Sequence, residues 1–224
     1  RDSLEHVNSI VDELIKNTDF DRPQVFVAED ICRNDIDAND KLAAVRSRMS
    51  MTDPLYIIYT SGSTGNPKGV MTSHLSLMTY INAYCDVMHI EENDVLGNQS
   101  PLDYIAAIRD IYLPLKTGCS TAIIPKEYFM EPNALFDYMN DKQVSSVGWS
   151  VSAFTILSSL GAFEEVGLKS LRKICFSGSV MPCKVLYKWQ ENLPEAHFVN
   201  QYGPTEATAS CTYYSVDHQV EEDE

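Results

Sequence analysis

The chain has 224 residues, 44% of them hydrophobic and 22% charged, and a formal net charge of −15 at pH 7. These proportions exclude a disordered or low-complexity tract and describe a globular chain long enough to bury a real core. The acidic balance argues against non-specific binding to nucleic acid or anionic membrane, both of which need Lys/Arg-rich surfaces.

In chain order, apolar residues at Leu4, Val7, Ile10, Val11, Leu14 and Ile15 follow the spacing of an amphipathic helix. A strand is expected over 24–28, and residues 29–53 form a charged connection with a short helix near 40–48. Leu55 to Tyr59 is an apolar run that predicts a short buried strand. Ser73 is a suitable N-cap for a helix from His74 to about Met88. Further strands are expected at 95–99, 121–124, 144–149, 173–176 and 197–200, and helices at 103–116, 133–140, 151–160 and 182–192. Thr117-Gly118 ends the first of these four helices in the manner of a glycine C-cap. Residues 211–216 alternate as an exposed strand would. This regular exchange of strand and helix predicts an α/β fold with a largely parallel sheet flanked by helices. In such sheets ligands sit at the carboxyl ends of strands, where the loops 60–69, 177–180 and 201–206 are expected to fall.

Six cysteines (Cys32, Cys85, Cys119, Cys175, Cys183, Cys211) show no C-x-x-C and no histidine at metal spacing, so they are expected to be reduced core residues. That favours a cytoplasmic setting, and no apolar stretch approaches the ~18 residues that span a bilayer. The polar N-terminus lacks a signal-peptide core. Three segments are expected: an N-terminal helix, strand and connection over 1–52, a core over 53–216, and an acidic, solvated tail over 217–224.

Two stretches carry chemistry. Thr60-Ser61-Gly62-Ser63-Thr64-Gly65-Asn66-Pro67-Lys68-Gly69 combines glycines that let backbone N–H groups crowd a polyanion, hydroxyl donors and a lysine. Its order is not that of a G-x-x-x-x-G-K-[ST] loop. Asn200-Gln201-Tyr202-Gly203-Pro204-Thr205-Glu206 follows a strand with an aromatic platform, a tight turn, a hydroxyl and a carboxylate. Those groups suit an adenine ring and a hard cation such as Mg2+. By itself Gly203-Pro204-Thr205-Glu206 reads first as a surface turn followed by a capped helix.

Together, in this order, the two stretches resemble the T-S-G-[ST]-T-G-x-P-K-G and N-x-Y-G-P-T-E motifs of the adenylate-forming (AMP-binding) superfamily. The resemblance is to amino-acid adenylation domains of nonribosomal peptide synthetases and D-alanine-carrier ligases. It covers about residues 53–212 and implies part of the large N-terminal subdomain. The family's ribose-binding aspartate, hinge and lysine-bearing C-terminal subdomain have no counterpart in this sequence, so this chain alone is expected to be inactive. By this resemblance residues 60–65 and Lys68 wrap the phosphates of ATP. The turn Ser177-Gly178-Ser179 passes under the adenine, on which Tyr202 stacks beside Gly203. Asn200 contacts the adenine edge, Thr205 touches the α-phosphate and Glu206 helps hold magnesium.

The family's substrate pocket, carried over, falls on Ile105, Ala106, Arg109, Ser152, Cys175, Ser177, Gln201, Ala209 and Ser210. Where amino-acid-activating members place an amine-binding aspartate this sequence has Ile105, with Asp103 two residues earlier as either a substitute or a helix cap. Arg109 is either solvent-exposed, the commoner fate of a helical arginine, or a pocket cation that would suit an acidic substrate. The resemblance implies activation of a carboxylic or amino acid as an acyl-adenylate and its transfer to a carrier-protein phosphopantetheine or CoA thiol. The alternatives are an acyl- or aryl-CoA synthetase relative, or a nucleotide-binding or interaction module without catalysis.

Overall fold

A computed structural model describes residues 2–16, 22, 39–61, 65–102 and 104–222. The strand expected over 24–28, Cys32, the loop residues Gly62, Ser63 and Thr64, and Asp103 lie outside the described residues. Two compact units divide between Met49 and Ser50.

The first unit contains helices α1 (Asp2–Ile15) and α2 (Asn39–Arg46). The predicted helix α1 forms; along its apolar positions Val11 and Ile15 are half-buried and Val7 and Ile10 are exposed. Arg22 ties back to this helix through Asn8 and Asp12.

The second unit begins with a β-hairpin. Strand β1 (Pro54–Thr60) pairs antiparallel with β2 (Lys68–Ser73), in register Ile57 with Met71 and Thr60 with Lys68. Two expectations are corrected here. The apolar run 55–59 is not a buried strand: its residues alternate, and Ile57 and Tyr59 face outward. The loop 60–69 is the tip of this hairpin and not the end of a parallel strand, because residues 68–73, left unassigned by sequence, return as β2.

The main sheet has six strands in the order β4-β3-β5-β6-β7-β8. These are β3 (Val95–Asn98), β4 (Ser120–Ile123), β5 (Ser146–Ser150), β6 (Lys173–Ser177), β7 (His197–Tyr202) and β8 (Thr212–Ser215). All neighbours are parallel except β7 and β8. The helices are α3 (His74–Met88), α4 (Ile108–Thr117), α5 (Pro132–Asp141), α6 (Val151–Ser159) and α7 (Cys183–Asn192). Ser73 caps α3 as expected, accepting a hydrogen bond from the Ser76 N–H at 3.2 Å. Gly118 ends α4 with φ 82° and its N–H on the Pro114 carbonyl. The helix expected over 103–116 is shorter: a 3-10 turn, Ile105–Ala107, precedes α4.

Strand alternation divides the core between two faces. Val147 and Trp149 of β5, Ile174 and Phe176 of β6, and Phe198 of β7 pack with α5, α6 and α7. Leu96, Cys175 and Val199 point to the other face, against α3 and α4. The first face is an aromatic stack. Trp189 lies 4.8 Å from Phe154 and 4.9 Å from Phe163, both edge-on, an arrangement that stabilises beyond area burial.

At the opposite ends of the strands from their carboxyl termini, buried Asp94 accepts hydrogen bonds from Lys173 and Ser145, each at 2.6 Å, clamping the starts of β3, β5 and β6. The tail is not simply solvated. Val220 is buried and donates its N–H to Gln190, which in turn holds the His218 carbonyl.

Truncating the buried Trp189 to alanine is expected to cost about 3–5 kcal/mol, read by urea denaturation. Burial pushes the Asp94 carboxyl up, but hydrogen bonds from Lys173, Ser145 and the Glu91 N–H outweigh it and hold the group below the usual carboxylate range. A depressed folded pKa stabilises above the unfolded value, about 3.9, and that stabilisation disappears as pH falls through the folded value. The stability gap between wild type and Asp94→Asn should therefore be constant above about pH 5 and shrink below about pH 4. Stability curves from pH 7 to 2 test this, and a gap that stays constant throughout contradicts it.

Candidate nucleotide and acyl site

Two cavities open at the carboxyl ends of the parallel strands and share Gly178 and Tyr202 on their walls. The first, about 410 Å³, is walled by Gln99, Ser100, Pro101, the 104–106 turn and Arg109 on one side. Gly148, Trp149 and Ser150 of β5, Ser177, and residues 203–205, 209 and 210 complete it. The second, about 570 Å³, lies over the other face, among Phe176, Ser179, Met181, Leu186, Asn200, Tyr202 and Val216. Both are within the size range of small-molecule sites, roughly 300–1,000 Å³.

The local chain explains this arrangement. β7 runs two residues beyond the expected end at Asn200, because Gln201 and Tyr202 pair with Tyr213 and Thr212 of β8. Asn200 and Tyr202 share one strand face, while Gln201 is buried on the other. Tyr202 is 69% exposed, a bare aromatic face at the junction of the cavities. Gly203 then permits a turn that no other residue would. A Cβ there would lie 2.4 Å from Ser210 Cα and 2.8 Å from the Ala209 carbonyl oxygen. The chain doubles back against it, with the Cys211 N–H donating to the Tyr202 carbonyl at 2.9 Å. Thr205 and Glu206 lie on a 3-10 turn, Thr205–Ala207, against which β2 packs. Across from it, Gly178 turns with φ 97°, a left-handed conformation that favours glycine.

Most of the residues singled out by sequence converge here. Ile105, Ala106, Arg109, Ser177, Gly178, Tyr202, Gly203, Thr205, Ala209 and Ser210 wall the first cavity. Ser179, Asn200 and Gln201 belong to the second. Thr60, Ser61, Gly65 and Lys68 lie on the hairpin, and neither they nor Glu206 line either of these two cavities.

Ser152 does not join them. It is exposed on the first turn of α6, past the end of β5, and Ser150 occupies the wall instead. Cys175 does not line the cavity either: it is buried in the core on the α3–α4 face, its thiol pushed up to about 11 by burial. Gly148 and Ser150, the alternate residues of β5 on this face, went unnoticed. Strand period would have found them once Arg109 was placed.

Arg109 is 4% exposed and not on the surface. Its guanidinium lies on Gly148, where a Cβ would come within 2.4 Å of Cζ, and 5.6 Å over the Tyr84 ring. Asp110 Oδ1 is 3.3 Å from its Nε, while Asp110 Oδ2 accepts from Asn98 Nδ2 at 2.9 Å. Burial alone would favour a neutral arginine, but Asp110 and the hydroxyls of Tyr84 and Tyr80 outweigh it and hold the cation charged. The same burial lifts the Asp110 carboxyl, against the pull of Arg109 and Asn98. No group of three or more His, Cys, Asp or Glu side chains that could hold a metal occurs among the described residues. None of their helices is long and apolar enough to cross a membrane.

Comparison with known proteins gives a consistent picture. A family model described as AMP-binding enzyme matches residues 4–224. The D-alanine--D-alanyl carrier protein ligase of Bacillus cytotoxicus is 35% identical over 166 residues, 74% of this chain and 33% of the relative, and that of Bacillus anthracis matches to the same extent. The chain thus spans about a third of the length of these relatives. Among solved structures, the Vibrio cholerae adenylation domain AlmE in complex with glycyl-adenosine-5'-phosphate superimposes with a TM-score of 0.68 at 25% identity. That match covers 78% of this chain and 32% of AlmE. The N-terminal domain of FACL13 from Mycobacterium tuberculosis shares the fold, with a TM-score of 0.66 at 19% identity over 90% of this chain and 44% of that one. The chain belongs to the AMP-binding enzyme family.

Proposed function

We propose that this chain supplies the nucleotide- and acyl-binding surfaces of an ATP-dependent ligase that activates a carboxylic or amino acid for transfer to the phosphopantetheine thiol of a carrier protein. The observation that carries the reading is the meeting of two cavities at Gly178 and Tyr202, with Thr205 on the wall of the first. The adenosine occupies the cavity of Asn200 and Ser179, with its ring against Tyr202. The acyl group occupies the cavity of Arg109, and the α-phosphate lies between them at Thr205. Contact of β2 with the 205–207 turn supports a role for the hairpin and its Lys68 at the phosphates. The relationship to D-alanine carrier ligases and to a structure holding a glycyl-adenylate supports this order of parts.

In the reaction a carboxylate oxygen of the substrate bonds to the α-phosphorus, and pyrophosphate leaves with the electrons of the α–β bridge. A thiolate then attacks the acyl carbon and releases AMP. The chain's contribution is positioning and charge stabilisation: the N–H groups, hydroxyls and lysine of the hairpin spread the charge of the transferring phosphoryl group. Magnesium fits the donor set on one condition. A single exposed carboxylate, Glu206, stands beside Thr205, and Mg2+ typically takes one or two carboxylates and completes its shell with substrate phosphates and water. When bound it neutralises phosphate charge. The free thiols of Cys85, Cys119, Cys175, Cys183 and Cys211 suit a cytoplasmic setting.

A second reading, transfer to CoA, is favoured by Ile105. It is a buried hydrocarbon at the cavity wall where an amine-binding carboxylate would serve an amino acid. Pyrophosphate exchange by the full-length protein separates the two readings: stimulation by amino acids supports the first, and stimulation by plain carboxylic acids alone supports the second.

Calorimetric titration with AMP is expected to show binding, weakened roughly tenfold or more in Tyr202→Ala, as loss of a base–aromatic stack should do. Absence of binding at millimolar AMP overturns the reading. Gly203→Ala should destabilise the chain by about 1–3 kcal/mol, since the new methyl group meets backbone rather than a movable side chain. Thermal denaturation measures that loss.

A further inference from the structure

We propose that the substrate held beside Arg109 carries a second anionic group, a carboxylate remote from the one that is activated, and that Arg109 selects for it. The inference deepens the proposed function and rests on it in taking the first cavity as the acyl site. It starts from a charge that the fold goes to some length to bury. Arg109 lies on the first turn of α4, faces the sheet at Gly148 and is buried with its guanidinium over the ring of Tyr84. Room for its guanidinium exists only because β5 has glycine at 148. A space-filling role would be met at lower desolvation cost by an uncharged side chain of similar volume.

The cation is also incompletely compensated. Its Nε–H is buried without a hydrogen-bond acceptor among the described residues. Asp110 is the one carboxylate within ion-pair distance of it there, and that group is shared with Asn98. Buried donors are nearly always satisfied in folded proteins, so an unsatisfied arginine on the wall of a cavity points to an acceptor supplied by the occupant. The remaining wall favours the same answer. Ile105, Ala106, Ser150, Ser177, Ala209 and Ser210 are short or neutral, so they offer volume without a competing charge. A carboxylate meeting a guanidinium there would make the charge-assisted pair that amide or methyl analogues cannot replace.

Calorimetry of this chain with non-hydrolysable acyl-sulfamoyl-adenosine analogues tests the inference. Aspartyl and glutamyl analogues are compared with asparaginyl and glutaminyl ones, and AMP alone is the reference. In wild type at least one acid analogue should bind about tenfold or more tightly than its amide, a gap of about 1.4 kcal/mol. The ratio should fall to about one in Arg109→Met and in Arg109→Met/Asp110→Asn, the second variant avoiding an unpaired buried carboxylate. Arg109→Lys should keep a reduced preference. Equal binding of acid and amide analogues, with AMP bound normally, overturns the inference and leaves the nucleotide reading intact. Failure of AMP and all analogues to bind overturns both. If Arg109→Met weakens AMP as much as it weakens the acid analogues, the arginine serves the nucleotide phosphate and the inference fails.

Discussion

The close approach of the chain to itself at Gly203 is the constraint on which the carboxyl edge of the sheet depends. Without a Cβ at that position, residues 202–204 lie back to back with 209–211, and the chain can leave β7, form the 205–207 turn and return as β8. The return strand extends β7 to Tyr202 and thereby sets the face on which that ring stands. Thr205 and the wall residues Ala209 and Ser210 are positioned by the same doubling back. A single missing methyl group thus fixes the geometry of three successive parts of the site.

The second organising feature is electrostatic. The parallel sheet presents alternate residues to its two faces, and on the α3–α4 face β5 offers only Gly148 at mid-strand. Arg109 fills that gap, and Asp110 and Asn98 stand behind it. The two faces differ accordingly. One is a dry aromatic core around Trp149, Phe154 and Trp189, which resists repacking. The other carries a buried charge at the rim of a cavity, where an occupant of suitable chemistry can complete its hydrogen bonding. On the proposed reading these faces divide the labour: the aromatic side supports the adenosine cavity and the charged side receives the acyl group.

Much of this was legible in the sequence. The alternation of strand and helix and the Ser73 and Gly118 caps placed the elements, and most residues of the second motif stretch and of the carried-over pocket fall on cavity walls. What was not legible depended on contacts between distant residues. Nothing local in 68–73 announced β2, because its stability comes from pairing with β1 and not from its own apolar pattern. The burial of Arg109 was undecidable from α4 alone, since helical arginines usually face water and the deciding residue, Gly148, is 39 positions away on another element. Ser152 stays off the cavity wall for a related reason. The strand ends at Ser150, and the wall position belongs to the strand and not to the helix that follows.

The central claim, that one ligand bridges the two cavities with its phosphate at their junction, is tested most directly by a crystal structure of this chain with an acyl-sulfamoyl-adenosine. The account predicts the purine against Tyr202 and the 178–179 turn, the sulfamate near Thr205 and the acyl chain beside Arg109. A purine lodged in the Arg109 cavity, or a ligand confined to the hairpin alone, would contradict it.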